Sequence, residues 1–479
     1  MIDISNILKK TNQAYLIPIN LGVDIPTGSV CDGMHGETYV NGGINKITGV
    51  VGPGNSFKST IAEDFMLTAA SRLFEAAYET LVIEYDSEMN KSHDRCMMLA
   101  SKHKHIPNDI FGSGFWSIVN KSDVDADQWL TAMVKIASSD ERKKSLLSLE
   151  MIRDMYAGDT KKTLKILTPI FGIIDSWSEI EPGSSVDALD DGIEGTDTYY
   201  LRNGNYKSKL LSKLTSLIGE SNVYFFLTAH IASKIDMATG PAKYQQPTRQ
   251  LAHMKQGDQL KNVSSKFTFL THNLYFADTA VNCINQTTKG QEYPGNYGSQ
   301  LPEDLKIVRL KLLRSKTGPS GIVIELCISQ QDGVLSDLTN FHNIKENNRF
   351  GISGTLVNYH LDLYPDVNIS RTTVRDKLKE NKKLAQACQL TYDLLQAKQH
   401  QSGYLNTYDL NCTPIELYED IKKLGYDWDI LLESRNYPLP NQYTSSTNFL
   451  SIFDLLRIRK GIYHPYWLGE DKKTIIKIK

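Results

Sequence analysis

The run Gly52-Pro53-Gly54-Asn55-Ser56-Phe57-Lys58-Ser59-Thr60 carries the clearest chemical signal in the chain. A loop of this kind turns successive backbone N–H groups toward a polyphosphate, and a helix starting behind it adds the positive end of its dipole. Lys58 then meets the outer phosphates and the Ser59 hydroxyl ligates Mg²⁺. The run departs from G-x-x-x-x-G-K-[ST] at Phe57, which stands where the second glycine falls. The substitution changes a side chain and keeps the N–H, so a grip made by main-chain amides survives it. The competing reading is an ordinary glycine-rich turn between a strand and a helix.

Mg²⁺ held by Ser59 calls for a carboxylate at a nearby strand end. Ile170 to Asp175 is the best apolar run that ends in an acid, which makes Asp175 the expected Walker B aspartate. The run from Leu81 ends near Asp86, with Glu88 just past it, where open α/β sheets place their ligand crevice. Glu88 is the candidate to orient and deprotonate an attacking water. Glu84 and Asp86 compete for that role, although Glu84 falls inside the strand, and a solvated loop acid is the plainer reading of Glu88. A further strand from Val223 ends at His230, either a sensor of the terminal phosphate or a simple strand-end histidine.

The elements that must position these residues follow from the wider pattern. The chain has 479 residues, a length that at ~150 residues per domain allows about three domains. Hydrophobic residues make up 41% and charged residues 23%, which excludes a disordered or collagen-like chain. With 53 Lys+Arg against 55 Asp+Glu the net charge is -2, so any nucleic-acid contact must come from local basic segments. The six cysteines show no zinc or C-x-x-C spacing, and no uninterrupted apolar run of ~20 residues occurs. The expectation is a soluble, cytoplasmic protein with no membrane partner.

Residues 1–25 read as an N-terminal arm. From Lys46 to Tyr275 short β-rich runs alternate with helical stretches, the signature of a mostly parallel sheet with strands covered on both faces. The helix after the phosphate loop is expected over Ala62 to Ala77. Leu305 to Leu313 and Gly321 to Ile328 read as an antiparallel pair at the sheet edge. An α/β core over 26–340 is followed by a linker at Asn347–Gly354 and a mainly helical C-terminal domain over 341–479. Within it Thr413-Pro414-Ile415-Glu416 marks a capped helix start and Gly425 its end.

With Gly52 to Thr60, Tyr85 to Glu88, Ile174 to Ser176, Thr228 to His230 and Lys311 to Lys316 in place, the chain resembles the RecA-type recombinases, most closely the phage UvsX-like branch, over residues ~30 to ~330. The resemblance implies a RecA-like P-loop ATPase core that uses ATP and Mg²⁺, with Gly52 to Thr60 as its Walker A loop. It implies that Glu88 activates water and that Arg314 and Lys316 reach the neighbouring protomer's ATP. A solvated basic hairpin is the alternative for those two. It further implies a helical filament on single-stranded DNA, pairing and strand exchange with double-stranded DNA, and a place in phage recombination, repair and replication. Single-strand-binding and mediator proteins are possible accessory partners, and the host cytoplasm is the location if the chain is phage-encoded. The same hairpin also resembles that of DnaB-like hexameric helicases, and a scaffold that binds nucleotide but hydrolyses little is a third reading.

Two segments fall where that family keeps its DNA-binding loops. Glu181 to about Asn205 is acidic before Tyr199, Tyr200 and Arg202, and Ile231 to about Asn273 carries Lys234, Lys243, Arg249, Lys255, Lys261 and Lys266 against Asp236 and Asp258. Basic residues supply salt-dependent phosphate contact and interleaved aromatics stack bases; a long solvated insertion is the alternative. No tyrosine closely follows Glu88 to stack on adenine, which leaves His93 and Arg95 for that task. Ser370 to Lys379 resembles the start of a winged-helix recognition helix, with a plain basic surface helix as the commoner meaning of such a pattern.

Overall fold

The computed structural model describes residues 26–476 apart from 33–34, 43–44, 151–162, 182–196, 234–249, 256, 296–303, 317–319, 400–407, 438 and 440–447. The expected N-terminal arm lies outside the described residues. In chain order the first elements are a hairpin, β1 (Pro26–Asp32) and β2 (Thr38–Gly42), then β3 (Ile47–Gly52), α1 (Lys58–Glu75), β4 (Val82–Asp86), α2 (His93–Ser101) and β5 (Trp116–Asn120). There follow α3 (Ala126–Ala137), α4 (Asp140–Lys144), a second hairpin β6 (Leu146–Glu150) and β7 (Thr163–Leu167), β8 (Ile170–Asp175), α5 (Asp197–Glu220) and β9 (Val223–Ser233). The sheet is completed by β10 (Asp258–Leu260), α6 (Ser265–Leu270), β11 (Asn273–Ala277), β12 (Val281–Asn282), β13 (Leu305–Ser315), β14 (Val323–Ser329) and β15 (Gly333–Val334).

The strands β11-β3-β9-β8-β4-β5 run parallel, and β13, β14 and β15 extend the β11 side antiparallel. The fold is mixed α/β with a parallel centre. Pleating sends neighbours to opposite faces: Val50 and Tyr224 join one apolar cluster, Val51 and Phe225 the other. Helix α1 buries Ile61, Ala62, Phe65, Ala69 and Leu73 on the first face, an i, i+3, i+4 stripe. The second face is covered by α3, α5 and α6.

Several boundaries differ from those the sequence suggests. Helix α1 starts at Lys58, four residues before Ala62, because the loop feeds directly into it. β9 does not end at His230 but runs on to Ser233, since β10 pairs with its last residues. Helix α5 begins at Asp197, so Tyr199, Tyr200 and Arg202 are helical rather than part of a loop reaching Asn205. The segment Ile231–Asn273 is likewise not one loop, because β10 and α6 lie within it.

The remaining elements are α7 (Ser336–Glu346), a three-stranded sheet of β16 (Ile352–Gly354), β17 (Tyr359–Leu361) and β18 (Tyr364–Ile369), then α8 (Val374–Glu380), α9 (Lys382–Gln399), α10 (Pro414–Lys423), α11 (Trp428–Leu432) and α12 (Ile452–Arg459). Helix α7 spans position 340. Asn347–Gly354 is not an open linker: residues 347–351 form a tight turn, where an added Cβ at Gly351 would stand 2.6 Å from Thr391 Cγ2, and β16 follows at once. Helix α10 has the expected capping box between Thr413 and Glu416, and Gly425 takes φ 87 beyond its end. The basic residues at and just before the start of α8 are engaged within the chain, Arg371 on the Gln291 carbonyl at 2.6 Å and Arg375 on Asp304 at 3.1 Å.

One apolar cluster runs without a break from Val50 and Phe65 through Phe341 to Leu455. Phe341 stacks on Tyr359 at 5.9 Å and meets Tyr293 edge-on. The β1–β2 hairpin is tied to α12, where the Thr38 N–H donates to Asp454 Oδ1 at 2.8 Å and Arg457 donates to Thr38 Oγ1 at 2.9 Å. Among the described residues no helix is long and apolar enough to cross a membrane.

Two stability predictions follow from this shared core. Phe341→Ala should cost about 3–5 kcal/mol, and far-UV dichroism and tryptophan fluorescence should still report one transition in urea; two separate transitions would mean the C-terminal region folds independently. Burial pushes the Asp454 carboxyl up to about 7, against the pull of the Ser451 and Thr38 N–H groups. The folded state therefore keeps a proton that the unfolded chain releases near pH 4, so this contribution is full below about pH 4 and drains as pH rises to about 7. Measured by urea midpoints, the stability of the wild type relative to Asp454→Asn should fall across that window; a flat difference would contradict it.

Candidate functional site

Strand β3 stops at Gly52, where an added Cβ would stand 2.3 Å from the Ala277 carbonyl oxygen, so the loop can tuck against the end of β11 only with glycine there. The Ala280 N–H fastens it from the same side, donating to the Asn55 carbonyl at 3.1 Å. Asn55 and Phe57 both adopt left-handed backbone, with φ of 55 and 56. For a residue with a Cβ this costs about 1–2 kcal/mol, which is why glycine is usual at position 57; here the ring packs against the apolar cluster beneath the loop and offsets the cost. Helix α1 follows at once, with no side-chain cap and no acid in its first turn, so its leading N–H groups are left for an anion. An added Cβ at Gly54 would meet nothing within 4 Å, which leaves the loop's mouth open.

Lys58 folds back onto the loop, its ammonium 2.7 Å from the Pro53 carbonyl, which also accepts the Ser56 hydroxyl at 2.8 Å. Burial lowers the Lys58 pKa from the ordinary lysine value, and the carboxylates of Asp175 and Glu88 pull the other way. Asp175 accepts hydrogen bonds from the hydroxyls of Ser59 and Thr228 and pairs with Lys91 Nζ at 2.9 Å. Its burial alone would raise its pKa; Lys91 and the two hydroxyls outweigh that and hold it below the usual carboxylate value. The strand bearing Asp175 does not adjoin β3, because β9 lies between them and supplies Thr228.

The three acids near the end of β4 have separate tasks. Glu84 is fully buried and bonded to Trp116 Nε1 at 3.0 Å and to Lys91 at 2.7 Å. Asp86 accepts from the backbone N–H groups of Glu88, Met89, Asn90 and Lys91 at 2.9–3.1 Å, so its carboxylate shapes the turn. Glu88 alone is left facing the loop, with Oε1 2.7 Å from His230 Nε2. His230 sits level with Gly52 in the parallel register. His93 lies tilted against Phe111, ring centroids 4.5 Å apart, and Arg95 donates to the Gln331 carbonyl at 2.6 Å, so both are engaged away from the loop.

Arg314 and Lys316 lie toward the opposite end of the sheet. Through β11, Arg314 is level with Gly49, and the Lys316 N–H donates to the carbonyl of His272, just below β11. Gly49 is three and Ile47 five residues below Gly52, about 10 and 16 Å along the strand. Arg314 donates to the Thr268 carbonyl at 2.6 Å and lies over the exposed Phe269 ring, while Lys316 is exposed.

Of the expected DNA-contacting residues, Lys234, Lys243 and Arg249 lie outside the described residues, as does the side chain of Arg202. Lys255 pairs with Asp278 at 3.4 Å, Lys261 with Glu179 at 3.3 Å, and Lys266 donates to Ser212 Oγ at 3.4 Å. Sequence reasoning missed Ser178 and Lys207. The His230 N–H donates to Ser178 Oγ at 2.8 Å, that hydroxyl donates to the Lys261 carbonyl at 3.0 Å, and buried Lys207 bridges the carbonyls of Ser178 and Asn262. Nothing in their spacing marks them, since each acts through a long-range backbone contact.

No protein-family model matches the chain, and no curated protein matches it. Among solved structures it is similar to the crystal structure of the RadB recombinase, at 15% identity over 61% of this chain and 92% of that one, with a TM-score of 0.34. No residue role is carried across a likeness of that size.

If main-chain amides make the grip, Phe57→Gly should hold affinity for a magnesium-nucleotide probe within about threefold of wild type in a fluorescence titration. Loss of binding would show that the ring itself shapes the pocket.

Proposed function

We propose that the chain is an ATP-dependent DNA recombinase of RecA type, akin to the phage UvsX-like branch, which assembles on single-stranded DNA with ATP between protomers and exchanges strands with duplex DNA. The observation that carries the reading is the division of charge along the sheet. Lys58, Ser59, Asp175, Glu88 and His230 gather at the carboxyl ends of the parallel strands, while Arg314 and Lys316 stand below that rim, which suits contact with another copy's nucleotide.

The residues fit Mg²⁺ and a triphosphate: an uncapped helix start, a buried lysine and a hydroxyl bonded to an ionised carboxylate share one rim. Bound Mg-ATP supplies the phosphoryl group and the metal charge that neutralises it. Ser59 and Asp175 would hold the metal. Lys58 leaves the Pro53 carbonyl for the β- and γ-phosphates. Glu88, held in place by His230, accepts the water proton on its carboxylate. Arg314 and Lys316 of the next copy stabilise charge on the transferring group. Lys255, Lys261 and Lys266 flank the segment 234–249 and contribute phosphate contacts to DNA.

The reading is tested by a single-stranded-DNA-stimulated ATPase assay, followed by electron microscopy of the same sample. Stimulated hydrolysis with open helical filaments is expected; closed rings would point to a hexameric helicase, and absent hydrolysis to a nucleotide-binding scaffold. Lys58→Ala should lower turnover by at least about a hundredfold. Arg314→Ala should keep nucleotide binding and lose most of the DNA-stimulated rate, and an unchanged rate would remove the shared-site arrangement.

A further inference from the structure

Lys91 is a buried cation that the hydrolytic scheme does not use. Its side chain is 7% exposed, and its ammonium lies against Glu63, Glu84 and Asp175, at 2.7 Å from Glu84 and 2.9 Å from Asp175. None of the three carboxylates is more than 5% exposed. The geometry is fixed from both sides. Trp116 pins Glu84 at 3.0 Å, and Asp86 holds the Lys91 N–H at 3.1 Å, so the side chain enters the cage from a fixed turn.

Three carboxylates converging on one point from α1, β4 and β8 form the donor set that attracts a hard divalent cation. Here an ammonium takes that place. It also shares Asp175 with the Ser59 hydroxyl, the pair assigned above to Mg²⁺. A metal arriving at Asp175 therefore meets a carboxylate already partly neutralised and a positive charge close behind it.

Resting on the nucleotide-site reading above, we propose that Lys91 is a resident cation, a positioning residue that keeps Asp175 aimed without metal and weakens its hold on free Mg²⁺. Mg²⁺ then loads together with the nucleotide phosphates rather than ahead of them.

Two variants test this. Lys91→Met leaves three carboxylates without their cation, and nucleotide-free protein should bind Mn²⁺, read by electron paramagnetic resonance, at least about tenfold more tightly than wild type. A triple variant, Lys91→Met with Glu63→Gln and Glu84→Gln, keeps the volume and leaves Asp175 as the only acid. In it the Mg²⁺ midpoint for binding a fluorescent ATP analogue should fall by about fivefold relative to the double variant Glu63→Gln with Glu84→Gln, which keeps Lys91. The triple variant decides the matter if the single one does not fold. Unchanged Mn²⁺ affinity in a folded single variant, or an unchanged Mg²⁺ midpoint in a folded triple variant, overturns the proposal, since a merely structural lysine would alter the melting temperature alone. Wild type that binds no nucleotide would refute the function proposed above, and the nucleotide-free Mn²⁺ comparison would still judge Lys91.

Discussion

Parallel pairing sends the carboxyl ends of β3, β4, β8 and β9 to one rim, and the register within that rim decides which side chains can meet. Asp86 is paired with Asp175 across β4 and β8, and Gly52 with His230 across β3 and β9. A slip of one residue in β9 would turn Thr228 away from Asp175 and bury His230, because side chains alternate between faces. The apolar residues that fix this register, Phe225 on one face and Phe226 on the other, thus also align the polar ones.

The rim is crowded with charge that the sheet keeps from water, and each group has a partner that defines its task. Asp86 is spent on four backbone donors, Glu84 on Trp116 and Lys91, and Lys58 on a carbonyl of its own loop. A phosphate entering the loop has only to replace the Pro53 carbonyl as the acceptor for Lys58. The left-handed turn at Phe57 is already made, so little reorganisation is asked of the backbone.

Where strand, loop and acid follow one another locally, the sequence was sufficient. Gly52–Thr60, Asp175, Glu88 and His230 sit on one rim, and the β13–β14 pair forms as its turn residues suggest. What escaped depended on distant partners. Asp258–Leu260 is strand only because the extended end of β9 offers it a ladder, and Ile352–Gly354 and Tyr359–Leu361 are too short to signal before they pair. Lys91 looks like any loop lysine until three acids from α1, β4 and β8 surround it. The continuity of the core across residue 340 was hidden for a related reason: apolar periodicity shows that α7 and α9 bury a face, but not that they bury it against the sheet.

The hydrogen bond from Thr38 to Asp454 joins residues 416 positions apart. On a ribosome, the hairpin cannot make this contact until the 416 positions from Thr38 to Asp454 have been added. Its final closure is therefore a late step of folding, and a chain not yet extended to Asp454 would present that hairpin undocked, to chaperones or to a neighbouring nascent copy.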